Sequence, residues 1–478
     1  MKKNKILILF VFICFVFKTK ADSTFVFTLP QFFSSVLKYH PLAKQADLLN
    51  LRADANLLQS RGSFDPVING QFENKTFDNK NYWQQLLTEI NIPTWYGLQP
   101  KIGYEFNDGI QNTDNTFKYL SNEKSNLPNG LFYAGIKANL GAGFILDERR
   151  ATLKQAKLFV QQNKFERDNA INNLMFDAFD AYSQWNMSAN KIIVLENALA
   201  TGQLRFEAIS KLSLLGDIAG IDTLETLTQM MVFQMMLNDA KIEFQANKYK
   251  INSFLWDEAQ NPIFLEPNIV PQSITPDLLN ISDTILKSNS FKTIVQNHPK
   301  IKSIELKYDQ LEIEERLNEN KLLPKLDLNY NVFLNDVNNN PPLQYSSYSQ
   351  NYKLGIDFTM PIFLREQRGN LALTKLKLTE TDLILKQTEN EIINKSLAYQ
   401  QQILIFTIQK SLIEKMIINY QRLLESENIK FDLGESSVFL VNSREQKLFE
   451  SQIKLFEIEY KYLKSLASLK WSLGLWIN

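Results

Sequence analysis

The sequence predicts a mainly α-helical protein that also carries a membrane β-barrel, built from two internal repeats. Three observations predict it. His40-Pro41 opens a helical run that ends at Phe64-Asp65-Pro66 before an alternating segment, and His298-Pro299 opens another that ends at Leu322-Leu323-Pro324. The two His-Pro pairs and the two later prolines are both 258 residues apart, which marks a duplicated helix–strand–strand–helix–helix unit. Each copy then runs into a proline-free helical pattern of about 70 residues, about 100 Å long at the rise of an α-helix. The segments between alternate apolar with polar residues, the period of a strand with one apolar face.

Composition agrees with this plan. The 478 residues hold 52 Lys+Arg against 52 Asp+Glu, a balance that argues against a nucleic-acid partner. Only 16 Gly and 15 Pro interrupt a chain rich in helix formers. Lys2, Lys3 and Lys5 precede an apolar run from Ile6 to Phe17, and Thr19-Lys20-Ala21 then offers a cleavage site before Asp22. The run is too short for a transmembrane helix, so residues 1–21 read as a signal peptide. The one cysteine, Cys14, lies inside it, and Val11-Phe12-Ile13 before it lack the small residues of a lipid-anchor motif. The mature chain would hold no disulfide. With no later apolar stretch long enough for a spanning helix, entry into a membrane requires a closed β-barrel.

In order, residues 22–256 form the first repeat, 257–285 a linker and 286–478 the second repeat. Leu37, Leu42, Ala46, Leu49, Ala53 and Leu57 recur at helical spacing before Pro66 stops the run. Ile68, Gly70 and Phe72 then alternate with Asn69, Gln71 and Glu73. Residues 74–130 are rich in Asn, Asp, Gly and Pro, but Leu87–Ile92 and Lys101–Phe106 alternate within them around Pro93-Thr94-Trp95-Tyr96-Gly97. They fit either a surface loop or one extra strand pair; the second copy has only the loop at Asn338-Asn339-Asn340-Pro341-Pro342.

A further strand has Ala134, Ile136, Ala138 and Leu140 on one side, and Tyr133, Gly135, Lys137 and Asn139 on the other. In the second copy Leu326, Leu328, Tyr330, Val332 and Leu334 oppose Asp327, Asn329, Asn331 and Asn335, with Phe333 breaking the pattern. Leu354, Ile356 and Phe358 likewise oppose Lys353, Gly355 and Asp357. The first long helix, from about Asp147 to Leu215, carries Phe165, Ile171, Phe179, Tyr182, Trp185, Ile192, Leu195 and Leu199; the second runs from about Gln367 to Leu433. Such length calls for coiled-coil-like packing. Each ends at a glycine turn followed by an acid, Leu215-Gly216-Asp217 and Leu433-Gly434-Glu435, and a shorter helix returns to Leu255-Trp256 or Leu475-Trp476.

Apolar-out, polar-in alternation suits a lipid-facing wall around a wet lumen. An ordinary half-buried sheet is the other reading. Lys137, Asn139, Asp327, Asn329, Asn331 and Asp357 would face the lumen. Four strands cannot close a barrel, and open edges in lipid leave backbone groups unpaired. Three copies would supply twelve strands, and strands from the insert would enlarge that barrel. His40 and His298, both before Pro, read as helix-entry residues, since no further His or Cys completes a metal site. No cofactor motif, Gly-rich phosphate loop or convergent catalytic set appears, so an enzyme is not expected. Arg149-Arg150-Ala151 reads as a solvated or interfacial charge cluster.

The order and spacing of these motifs resemble the TolC family of outer-membrane efflux proteins. The resemblance rests on both His-Pro starts, Pro66 and Pro324 before strands, Asp147-Glu148-Arg149-Arg150-Ala151 after a strand, and Gly434-Glu435-Ser436-Ser437 at the second turn. It implies a homotrimer with a β-barrel in outer-membrane lipid and a long α-helical coiled-coil barrel reaching through the periplasm. Such a protein is the passive channel of a tripartite export system, docking with a periplasmic adaptor and an inner-membrane pump.

The resemblance also implies site residues. The helix turns would form the periplasmic tip, with Leu215, Gly216, Asp217, Leu433, Gly434 and Glu435 as adaptor contacts. Asp222 matches an acidic gate position, with Glu225 one turn on; the second-copy counterparts, Leu440 and Ser443, carry no charge. Three copies of Asp222 would form a ring attractive to cations, against the reading of acids on a solvated helix face. From another class, the alternative is a secreted trimeric coiled-coil scaffold or adhesin.

Overall fold

The computed structural model describes residues 25–77, 79–109, 130–279, 281–286, 291–334 and 351–477. The expected leader, Asn335, the loop at 338–342 and residues 110–129 of the insert lie outside them. In chain order the elements are β1 (Phe25–Phe27), α1 (Leu29–Tyr39), α2 (Pro41–Gly62), β2 (Val67–Phe77), β3 (Lys80–Asn91), β4 (Leu98–Gly109), β5 (Leu131–Asn139), α3 (Glu148–Leu215) and α4 (Gly220–Asn252). Then come β6 (Ile269–Pro271), the short helices α5 (Asp283–Leu286) and α6 (Lys292–Val295), α7 (Pro299–Asn320), β7 (Lys325–Leu334), β8 (Tyr352–Thr359), α8 (Arg365–Asp432) and α9 (Val438–Ser472).

The duplicated register is visible in the elements. α2 and α7 each have 22 residues and start 258 positions apart, as do β2 and β7. Proline at the first helical position costs no hydrogen bond, because that N–H has no helical acceptor. The same proline bars the residue before it from helix. His40 and His298 are accordingly extended, at ψ 135° and 132°, and His40 separates α1 from α2. The four residues before β2, including Pro66, form a turn and a bend outside any helix or strand.

The chain packs as two compact units of interleaved segments. The first takes the described residues within Met1–Pro41, Met175–Ser282 and Gln400–Ala467. Its centre is aromatic: Phe32, Phe179, Tyr182 and Trp185 are fully buried, and Phe32 stacks on Tyr182 at 5.6 Å. The expected linker supplies β6, which pairs in parallel with β1. Tyr182 fixes that ribbon, donating its hydroxyl to Phe27 O at 2.5 Å and accepting from Gln272 N at 2.9 Å.

The second unit takes those within Leu42–Leu174, Asp283–Tyr399 and Ser468–Asn478. Within α2 the apolar repeat is only partly buried. Leu42 is exposed and Leu49 and Leu57 only partly covered, whereas Ala43, Ala46, Ala53 and Ser60 are buried. Small side chains let neighbouring helices approach closely, so they and not the leucines form the seam within one protomer. Leu48, Leu51 and Leu58 point outward.

The insert supplies a strand pair. One sheet contains all six long strands in the order β2-β3-β4-β5-β7-β8, every neighbouring pair antiparallel.

Candidate channel wall and helical turns

The pairing register sorts the sheet into two chemically distinct faces. Successive rows run Gly135–Asn331–Lys353, Lys137–Asn329–Gly355 and Asn139–Asp327–Asp357 across β5, β7 and β8. All six of the expected lumen residues therefore share one face. Asp327 is bracketed by Lys137 at 3.2 Å and Lys325 at 3.6 Å, and Asn329 donates to Asp357 at 2.9 Å.

The inserted strands continue this face. Glu89 of β3 pairs in register with Gly103 of β4, and Gly103 with Tyr133 of β5. Tyr133 crosses Gly103 and donates to Glu89 Oε2 at 2.8 Å, with Lys101 3.9 Å from the same oxygen; Asn91 donates to Oε1 at 2.8 Å. Lys353 of β8 reaches Glu105 of β4 at 3.3 Å, although two strands separate them. In a flat sheet those strands would stand about 14 Å apart. The sheet is curled toward its polar side. The other face presents Ile68, Phe72, Ile102, Phe132, Ile356 and Phe358, all more than half exposed.

Where β5 passes into α3, Arg150 is not a free surface charge. It sits 3.1 Å from Asp147, donates to Phe144 O at 3.0 Å and donates to Gly143 O. The guanidinium thereby ties the strand-to-helix turn together.

The first unit contains both long-helix turns. Gly216 and Gly434 adopt φ of +83° and +75°, a region that a Cβ disfavours. Each turn closes the same way: Asp217 N donates to Leu212 O and Gly216 N to Ser213 O, while Glu435 N donates to Lys430 O and Gly434 N to Phe431 O. These are paired Schellman bonds that satisfy otherwise orphaned carbonyls. Leu214, Leu215 and Leu433 stand exposed around the turns, Leu214 at 88 %. Asp222 lies in the first turn of α4 and Glu225 one turn on, both partly exposed. The second turn is further tied by Ser436 donating to Glu427 at 2.6 Å and by Arg444 at 3.5 Å from the same carboxylate.

A buried charged pair was missed by sequence reasoning. Arg205 of α3 grips Glu445 of α9 through two bonds of 2.6 and 2.9 Å, and also donates to Asn442 at 3.2 Å. Glu445 is 1 % exposed, and burial pushes its carboxyl above the usual range despite the guanidinium. The partners are 240 residues apart, so no local spacing reveals them. Glu89, Lys101, Glu105 and Tyr133, which share the polar face, were also not singled out as candidates. Alternation in the insert was the available signal for the first three.

The two histidines take equivalent places in their units. His40 stacks on Phe254 at 5.6 Å with Trp256 edge-on at 6.5 Å. His298 caps α7, its Nδ1 accepting from Lys300 N at 3.1 Å, and it packs under Gly474. Burial, then the charge of Lys300, holds His298 down at about 4. Among the described residues no group of three or more His, Cys, Asp or Glu could hold a metal ion, and no helix is long and apolar enough to cross a membrane.

Residues 291–475 match the outer membrane efflux protein family. The likeness in fold to solved structures reaches beyond those residues. A solved structure of CusC, described in terms of folding and transmembrane channel formation, aligns at TM-score 0.67 and 12% identity, covering 93% of this chain and 91% of its own. The CmeC outer membrane channel of Campylobacter jejuni aligns at 0.62 and 14%, covering 93% and 85%. VceC, an outer membrane protein of Vibrio cholerae, aligns at 0.64 and 11%, covering 93% and 95%. No curated protein matches the chain in sequence. At these identities the alignments establish a shared fold.

Proposed function

We propose that three copies of this chain form the outer-membrane conduit of a tripartite exporter, joined in the periplasm by an adaptor and an inner-membrane pump. One observation carries the trimer. A sheet with an apolar outer face and two unpaired edges cannot stand in lipid alone, because each unsatisfied backbone group costs several kcal/mol there. Copies of the chain supply the missing partners. The outward leucines of α2 and the exposed Leu373, Leu376 and Leu383 of α8 support the same reading, since they give neighbouring copies apolar stripes to bury.

In this reading Lys137, Asn139, Asp327, Asn329, Asn331 and Asp357 line the outer pore. The Gly216 and Gly434 turns meet the adaptor, whose contact would cover Leu214, Leu215 and Leu433. Asp222, backed by Glu225, forms a charged ring at the entrance. The signal peptide over 1–21 and the two repeats joined through 257–285 describe the chain's layout.

The test is reconstitution in planar bilayers. Purified protein should insert and conduct ions, and Asp222→Asn should raise closed-state conductance or alter its block by cations. Protein that fractionates without detergent and never conducts would favour the secreted scaffold. An unchanged record for Asp222→Asn would remove the ring alone.

A further inference from the structure

The structure places an additional hairpin inside the sheet, where the second repeat has none. In the second repeat β7 pairs directly with β8. Their first-repeat counterparts, β2 and β5, never touch in the sheet order, because β3 and β4 stand between them. The hairpin is not an appendage. β3 pairs with β2 along its whole length and β4 pairs with β5 over eight residues. It shares the polar face through Tyr133–Glu89 and Lys353–Glu105. It shares the apolar face through Ile90, Ile102 and Tyr104, the last packing against Phe132 at 5.0 Å between ring centres. β3 and β4 have 12 residues each, enough to cross a bilayer as tilted strands.

This leaves β2 and β8 as the edges. They run antiparallel to each other, because six alternating strands separate up from down an odd number of times. Both are exposed on nearly every residue. Edge backbone of this kind demands a partner in lipid, and the β8 edge of a second copy offers β2 the required antiparallel ladder.

Resting on the trimer reading above, we propose that the inserted hairpin is part of the pore wall and that β2 of each copy pairs with β8 of the next. Three copies of the six-stranded sheet then close an 18-stranded barrel. Barrel diameter grows roughly linearly with strand number, so this wall is about 1.5 times as wide as one of twelve strands. Its open cross-section is roughly twofold larger, in the range of strand numbers that leaves a water-filled channel. The duplication thus supplies two unequal wall segments per chain, four strands from the first repeat and two from the second. The upper pore would pass bulkier cargo than its repeat unit alone allows.

Two experiments on the full chain test this. Electron cryomicroscopy of the purified protein in lipid nanodiscs should count 18 strands. A variant with residues 79–129 replaced by a short Gly-Ser linker, which restores the second repeat's plan, should count twelve. Cysteine pairing tests the edge without relying on that variant's folding. Gln71→Cys combined in turn with Lys353→Cys, Gly355→Cys or Asp357→Cys should give, in at least one combination, covalently linked trimers under oxidation. A wild-type trimer with a twelve-stranded wall and residues 80–109 outside it would overturn the proposal while leaving the trimer intact. So would cross-linking of Gln71→Cys only to Lys137→Cys within one chain. A water-soluble monomer would remove the trimer reading and the wide barrel together.

Discussion

Tyr133 on β5 donates its hydroxyl to Glu89 on β3 at 2.8 Å, reaching over Gly103 of the strand between them. Gly103 is what makes the reach possible: a Cβ there would collide with the phenol ring. Gly103→Val should therefore expel Tyr133 and cost about 2 kcal/mol, the usual scale of overpacking. The temperature at which the oligomer dissociates on a denaturing gel should fall. Tyr133→Phe keeps the ring over the glycine and loses only the hydroxyl bond, so it should lower that temperature less. Equal temperatures for Gly103→Val and wild type would show that the three strands are not locked by this contact.

The two glycine turns give a second prediction. Both have positive φ and open space around them, so substitution strains the backbone without any collision. Gly216→Trp and Gly434→Asp should abolish export while oligomers still reach the outer membrane. Each should cost only about 1 kcal/mol locally, the scale of placing a non-glycine residue in that region. Export assays beside membrane fractionation read the two effects separately. Normal export in both variants would place the adaptor contact elsewhere.

The Arg205–Glu445 pair predicts a non-additive cycle. Removing one partner of a buried ion pair leaves an uncompensated charge, at a cost of about 3 kcal/mol, whereas replacing both by apolar groups is often neutral. Arg205→Met should destabilise strongly, and Arg205→Met with Glu445→Leu should recover most of the loss. Denaturant midpoints for the four proteins measure the coupling. Additive losses would mean that solvent reaches Glu445.

His298 sets a pH dependence. Its folded value of about 4 lies below the ordinary 6.5, so between those values the unfolded chain binds the proton and the folded chain does not. Stability is fully present above the upper value and is lost as pH falls toward the lower one, by up to about 3 kcal/mol per chain. His298→Asn keeps a side-chain cap on α7 and removes the titration. Its stability should change less over that window. A wild-type profile no steeper than that of the variant would exclude His298 as the source.

How much of this was legible in the sequence depends on the range of the interaction. The His-Pro starts, the prolines before strands and the long helices are local signals, and they led to the fold class. The polar face of β5, β7 and β8 followed from a two-residue period that holds for the whole strand. The insert was harder. Leu87–Ile92 and Lys101–Phe106 alternate cleanly, but the surrounding Asn, Gly and Pro fit a loop equally well until the partners of β3 and β4 are known. The α2 seam was not legible, because hydrophobicity marks leucine, while close helix packing buries alanine and serine. Arg205 and Glu445 lie in helices whose surfaces carry many charges, and nothing nearby distinguishes the pair that is buried.

The most direct measurement is the native mass of the protein extracted from membranes in mild detergent. The protein should be a trimer that requires detergent to remain in solution and that heating converts to a monomer of different mobility. A monomer that stays soluble in water alone would contradict it, because a single six-stranded sheet with both edges open could then not be the wall of a membrane pore.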